Sequence, residues 1–187
     1  MWGAARASPV ILVFGDSLSA AYGIRAERGW VALLEERLAR ERIDYAVVNA
    51  SISGETTAGG RERLARALAR HKPAVVILEL GANDGLRGLP AAETAKNLEA
   101  MAAQAQAAGA RVLLAGMRLP PNYGADYTRA FEDAFARAAR RRRAALVPFF
   151  LDGVPDDQFQ PDRLHPVEAA QPRLLDNIWP KLRPMLR

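Results

Sequence analysis

Val10-Ile-Leu-Val-Phe-Gly-Asp-Ser-Leu-Ser19 is a five-residue apolar run that stops abruptly at Gly15-Asp16-Ser17. A short apolar run without polar alternation reads as a strand covered on both faces, and the Gly-Asp-Ser string as a turn leaving its carboxyl end. Four more runs have the same character: Tyr45 to Asn49, Ala74 to Leu80, Arg111 to Met117, and Ala144 to Phe149. The stretches between them have helical spacing. Glu27 to Arg42 places Trp30, Leu33, Leu34 and Leu38 on one side, and Gly60 to Arg70 repeats Leu64 and Leu68. Ala92 to Ala108 is closed by Gly109, and Asp126 to Arg142 carries Phe131 and Phe135. Val167 to Leu182 is a weaker helix, interrupted at Pro172 and closed near Pro180.

Strict alternation of strand and helix predicts right-handed crossovers and an α/β fold. The expected architecture is a three-layer α/β/α sandwich around a five-stranded parallel, flavodoxin-like sheet. No repeat, low-complexity tract or linker divides the 187 residues, so one domain is expected over 1–187, with 1–8 a flexible lead. Half of the residues are apolar and a quarter charged, and no run approaches the ~20 apolar residues of a membrane-spanning helix. Cysteine is absent, which removes disulfides, thiolate metal sites and a thiol nucleophile. Ala5-Arg6-Ala7 has the small-x-small form of a cleavage site. It favours a mature periplasmic or secreted form, with a cytoplasmic location left open.

The net charge of +5 raises the question of a nucleic-acid partner. Three of the 26 basic residues are lysines and the rest are arginines scattered along the chain. The one cluster, Arg140 to Arg143, would wrap around a helix end, since successive residues lie ~100° apart. That suits a solvated C-terminus and its dipole, and no nucleic acid is expected.

In open α/β sheets ligands bind beyond the carboxyl ends of the strands. Gly15-Asp16-Ser17, Ser51 to Gly54 and Gly81 to Asp84 follow the first three strands, and Asp162-Arg-Leu-His165-Pro166 follows the fifth after a longer loop. Each string alone also reads as ordinary turn chemistry, including a helix N-cap at Ser17 and a turn at Asp84. Together they place a hydroxyl, an imidazole and a carboxylate on one rim. Only two histidines exist, and His71 beside Lys72 and Pro73 reads as a helix end. His165 is therefore the candidate base for Ser17, with Asp162 three residues away to fix its tautomer. Asp16 adjoins Ser17 but is expected to hydrogen-bond its own loop. The N–H groups of Ser17 and Gly54 and the Asn83 amide are candidate oxyanion donors.

These strings resemble a known family. Gly15-Asp-Ser-Leu-Ser19, Asn49-Ala-Ser-Ile-Ser-Gly54-Glu-Thr56, Glu79-Leu-Gly-Ala-Asn83-Asp-Gly-Leu-Arg-Gly88 and Asp162-x-x-His165-Pro166 are similar in order and spacing to the four blocks of the SGNH (GDSL) hydrolases. Arg118-Leu-Pro-Pro-Asn-Tyr-Gly124 and Pro148-Phe-Phe150 extend the match, which runs from Val10 to Trp179. The resemblance is strongest to the bacterial thioesterase I/lysophospholipase/arylesterase group. It implies the SGNH hydrolase fold and a serine esterase or thioesterase using Ser17, His165 and Asp162, with Ser17, Gly54 and Asn83 as oxyanion hole. A carbohydrate acetylesterase on the same fold is the alternative. Leu86, Leu89, Leu119 and Tyr123 are expected to line an acyl groove. No metal or organic cofactor is implied, and the expected partner is a small acyl ester or thioester, without stable membrane insertion. Arg163 and Ala21 stand where many relatives have Gly; Arg163 would alter charge at the mouth of the site.

Overall fold

A computed structural model describes residues 7–186. The first six residues of the expected flexible lead, with Ala5 and Arg6 of the small-x-small string, lie outside that range. Ser8, at the end of the lead, is tied through its hydroxyl to Asp44 at 2.5 Å.

The five apolar runs form strands β1 (Val10–Gly15), β2 (Ala46–Asn49), β3 (Val75–Glu79), β4 (Arg111–Ala115) and β5 (Ala145–Val147). All pair in parallel in the order β2-β1-β3-β4-β5. The burial follows that order: β3 is wholly buried, whereas edge strand β2 is half-open to solvent. Among the described residues six α-helices connect and cover the sheet: α1 (Trp30–Arg40), α2 (Thr57–His71), α3 (Ala82–Leu86), α4 (Ala91–Ala107), α5 (Ala125–Arg142) and α6 (Gln171–Leu182). α1 packs with α6, while α2, α4 and α5 form a contiguous second layer.

The apolar stripes read from the sequence supply both interfaces. Trp30, Leu34 and Leu38 of α1 are buried on one side, and Leu64, Leu68, Phe131 and Phe135 on the other. Each such side chain contributes roughly 1.5–3 kcal/mol through burial. Trp30 meets Phe150 edge-on at 5.5 Å, and Phe131 meets Phe135 edge-on at 5.3 Å, the offset geometry that ring quadrupoles favour.

Helix ends differ from the sequence expectation for local reasons. α1 begins at Trp30, because Ala26–Arg28 forms a separate 3-10 turn. α2 begins earlier than expected, at Thr57, because Thr56 caps it by accepting from Gly59 N–H. Pro172 sits in the first turn of α6, where its missing N–H is harmless, so it starts that helix rather than interrupting it. Pro180 lies inside α6, which continues to Leu182. Arg140–Arg142 form the last turn of α5, as a solvated helix end requires. The addition is α3, five residues long and too short to announce itself by periodicity.

Candidate active site

The crevice between β1 and β3 is where the strand order reverses, and the loops leaving these two strands carry Ser17 and Asn83. Gly15, the last residue of β1, is fixed by space. A Cβ there would come within 2.6 Å of Glu79 Oε2 and 2.8 Å of Ser19 Oγ. The turn that follows is held from beneath: Glu79 Oε2 accepts the Asp16 N–H (3.3 Å) and the Ser19 hydroxyl (2.6 Å). Asp16 Oδ1 accepts the Leu18 N–H at 3.1 Å. Ser17 is thus clamped on both sides while its own side chain faces the crevice.

His165 arrives from the far end of the chain. Asp162 Oδ1 accepts the N–H groups of Leu164 (2.9 Å) and His165 (3.0 Å), folding the segment into a tight turn. Its other oxygen accepts from His165 Nδ1 at 2.7 Å, and His165 Nε2 lies 2.8 Å from Ser17 Oγ. A carboxylate only accepts, so the Nδ1 proton is fixed and Nε2 is left as acceptor for the serine proton. The loop is anchored by Gln160, which donates to Tyr22 O (2.8 Å) and takes part in a bridge between Phe159 and Pro166 through its backbone. The Tyr22 ring packs against the imidazole at 4.5 Å. Desolvation acts to raise the Asp162 carboxyl, but the hydrogen bonds from Leu164 and from the ring and N–H of His165 outweigh it. The carboxyl falls to about 2 and stays ionised.

The three candidate oxyanion donors surround the same cavity. The N–H groups of Ser17 and Gly54 donate to no acceptor among the described residues. Gly54 has φ +80°, a left-handed conformation natural to glycine, and its carbonyl accepts from Arg87 at 3.0 Å. Asn83 Nδ2 lies 3.1 Å from Asp16 Oδ2 and 3.0 Å from the Glu55 carbonyl. Both neighbours accept, which identifies the atom as nitrogen and engages both of its N–H groups, so one of these bonds must yield when the amide turns to an oxyanion. Asn83→Ala is expected to lower kcat roughly 10²–10³-fold with a much smaller effect on KM, as when an oxyanion donor is removed, which steady-state kinetics would show.

Three carboxyl groups around this frame carry structural roles that the sequence does not announce. Asp84, readable as a turn residue, is a buried anchor. It accepts from the Thr57 N–H (2.8 Å) and the Thr57 hydroxyl, while Thr94 donates from α4 at 3.5 Å. Asp16 does hydrogen-bond its own loop, as expected, but it also holds Asn83. Its burial pushes the carboxyl up to about 7, against the lowering effect of the Leu18 N–H and of His165. Glu79 is fully buried. Desolvation, then the Asp16 charge, raises it well above the ordinary carboxylate range, and its Oε1 has no hydrogen-bond partner among the described residues. The only sequence signal was a carboxylate closing an otherwise apolar strand.

The sign of the linkage is fixed by these raised values. A carboxyl that binds its proton more tightly folded than unfolded supports the fold below the unfolded pKa. That support is lost as pH rises towards the folded value, from 3.8 to about 7 for Asp16 and over a window displaced the same way for Glu79. A glutamine in place of Glu79 would be neutral throughout. The melting temperature of Glu79→Gln relative to wild type should therefore shift in the variant's favour as pH rises above the ordinary carboxylate range. A constant gap would show that Glu79 does not carry this proton.

Beside Ser17 opens a cavity of about 470 Å³. Leu86 and Leu119 line it, together with Met117, Phe149, Leu151, Phe159 and Leu164. Leu89 and Tyr123 do not, which corrects the expected groove. The Tyr123 hydroxyl donates to Leu86 O at 3.2 Å, so it braces the wall from behind, and Leu89 is exposed outside it. Phe149 closes the fifth apolar run, and its place at a strand's carboxyl end was the signal that could have found it. Arg163 lines the mouth, and it shares a left-handed backbone with Ala21 (φ 57° and 58°). Both positions where glycine is the familiar choice thus do have the conformation glycine tolerates best. His71 ends α2, distant in role from this site.

The family model for GDSL-like lipase/acylhydrolases matches residues 13–171. The chain belongs to the GDSL-like lipase/acylhydrolase family. It is 56% identical to the esterase TesA of Pseudomonas aeruginosa over 96% of this chain and 90% of that protein. It is 39% identical to thioesterase 1/protease 1/lysophospholipase L1 of Escherichia coli, over 97% of this chain and 87% of that one. A crystal structure of TesA superposes with a TM-score of 0.93 at 55% identity, covering 95% of this chain and 99% of that one.

Proposed function

We propose that this chain is a serine esterase and thioesterase, cleaving acyl esters and thioesters, with lysophospholipids among its substrates. The observation that carries the reading is the continuous relay Asp162–His165–Ser17, at 2.7 and 2.8 Å, opening on an apolar cavity. The names of its relatives, esterase and thioesterase/lysophospholipase, support the same class.

In this reading His165 Nε2 takes the Ser17 proton as Oγ attacks the acyl carbonyl carbon. The imidazolium is stabilised by Asp162, and the oxyanion by the N–H groups of Ser17 and Gly54 and the Asn83 amide. His165 then gives its proton to the departing alkoxide or thiolate, leaving an acyl-Ser17 ester. Water, deprotonated by His165, attacks that ester, and collapse returns the proton to Ser17 Oγ and releases the carboxylic acid.

The cavity bears on the choice between acyl hydrolysis and carbohydrate deacetylation. A wall of Leu86, Met117, Leu119, Phe149 and Leu151 offers methylene contacts, while a sugar would require convergent hydrogen-bonding groups. Octanoyl p-nitrophenyl ester should therefore have a kcat/KM roughly tenfold or more above the acetyl ester, since each buried methylene contributes about 0.8 kcal/mol. A preference for acetyl would favour the sugar esterase instead.

A further inference from the structure

The large apolar side chains exposed among the described residues are Tyr22, Ile52, Leu89 and Leu164, at 53%, 50%, 38% and 40%. They come from four separate loops that follow the carboxyl ends of β1, β2, β3 and β5. Tyr22 and Leu164 line the cavity mouth. Ile52 belongs to the loop that ends in Gly54, and its N–H is bonded to Gly15 O at 3.0 Å. Leu89 closes the segment after α3, its N–H bonded to Asp84 O at 2.9 Å. Single exposed leucines need no explanation, but convergence of all of them on one rim does.

Two arginines near that rim have no acidic partner among the described residues. Arg163, next to Leu164, makes no side-chain hydrogen bond or ion pair among the described residues. Arg87 binds the Gly54 carbonyl, a neutral partner, and so retains its full charge. Arg118 is paired with Glu132 at 3.5 Å. Of the nearby acids, Asp162 is engaged by His165 and Glu55 by Arg63 at 2.6 Å, while Asp156 and Asp157, before Phe159, make no ion pair among the described residues.

We propose that this rim docks the protein on an anionic lipid–water interface, with the four apolar side chains entering the headgroup layer and Arg87 and Arg163 facing lipid phosphates. Apolar and cationic groups on one surface are what interfacial binding combines, and four side chains suffice only for reversible attachment. A second copy of the chain fits less well. A two-fold contact would bring the same cations face to face on a molecule already carrying +5. The proposal rests on the acyl-hydrolase reading for its purpose: docking would set the cavity mouth where single-chain lipids reside, so an acyl chain enters without crossing water.

Sedimentation with vesicles of ether-linked lipids, which cannot be hydrolysed, separates binding from turnover. Wild-type protein should partition onto vesicles of equal parts dialkyl phosphatidylglycerol and phosphatidylcholine roughly tenfold more strongly than onto phosphatidylcholine alone, with the preference falling in high salt. Ile52→Glu/Leu89→Glu lies outside the cavity wall and should reduce that partition roughly tenfold or more, with Ile52→Ser as a milder, uncharged variant acting in the same direction. Both should hydrolyse soluble p-nitrophenyl acetate at wild-type rate, which also shows that they are folded. No partition, no preference for the anionic lipid, or equal partition by wild type and variants would overturn the proposal. So would a dimer in sedimentation equilibrium that Ile52→Glu dissolves without any vesicle binding, since the rim would then join two copies. Absence of hydrolysis by the wild type would sink the enzyme reading instead, and would leave the vesicle result standing.

Discussion

Ser17→Ala is expected to lower kcat by about 10⁶-fold, the scale on which loss of the nucleophile disables serine hydrolases. The expectation rests on one atom. Ser17 Oγ is the group within 2.8 Å of His165 Nε2, and the neighbouring Ser19 hydroxyl is committed to Glu79. The fold should survive, because Ser17 is only partly buried and contributes no anchoring bond from its side chain to the core. A fluorophosphonate should label wild type once, at Ser17 by peptide mass, and leave the variant unlabelled. His71→Ala provides the control and should keep nearly full activity, since it ends α2. Near wild-type turnover by Ser17→Ala, or labelling elsewhere, would discard the mechanism.

Asp162→Asn should come next, with kcat lowered by up to about 10⁴-fold, as seen when the third group of such a triad becomes an amide. Two effects combine. The amide cannot balance the imidazolium, and it can present N–H to Nδ1, inviting the tautomer that places a proton on Nε2. Asn can still accept from Leu164 and His165 N–H, so the turn itself should persist. KM should therefore change little. Asp16→Asn is the necessary comparison, because Asp16 is the other carboxylate close to the nucleophile. Its effect should be weaker and should travel through Asn83. If Asp16→Asn were fatal in a folded protein while Asp162→Asn was nearly silent, the two assignments would have to be exchanged.

The fold was legible because its signals are local. Five strands, each with an apolar run, and helices with clear stripes leave little choice of class, and Gly-rich strings at strand ends mark the rim. The Asp162–His165 pair was legible for a similar reason, since three residues on one turn determine their own geometry. What escaped was long-range. Nothing near Glu79 in the chain says that its carboxyl will hold the N–H of Asp16, 63 residues away. Likewise nothing near Asp84 says that it will join α3 to α2 and α4. Leu89 and Tyr123 failed as groove residues because loop membership places a side chain near a rim without saying which way it turns. Phe149 and Leu151 stand in their place because the wall is set by where β5 ends.

The bond between Ser17 and His165 spans 148 residues, and the segment bearing His165 is seated by the last helix against the first. Gln171 accepts the Trp30 N–H at 3.0 Å, and Asp176 meets Arg37 at 2.9 Å. The nucleophile therefore meets its base only when the C-terminal segment is packed onto the N-terminal one. During vectorial synthesis a nascent chain could assemble the sheet through β4 and still hold an inert serine, because its base has not yet been made. In a hydrolase wired in this way, a chain truncated before His165 carries a nucleophile without its base.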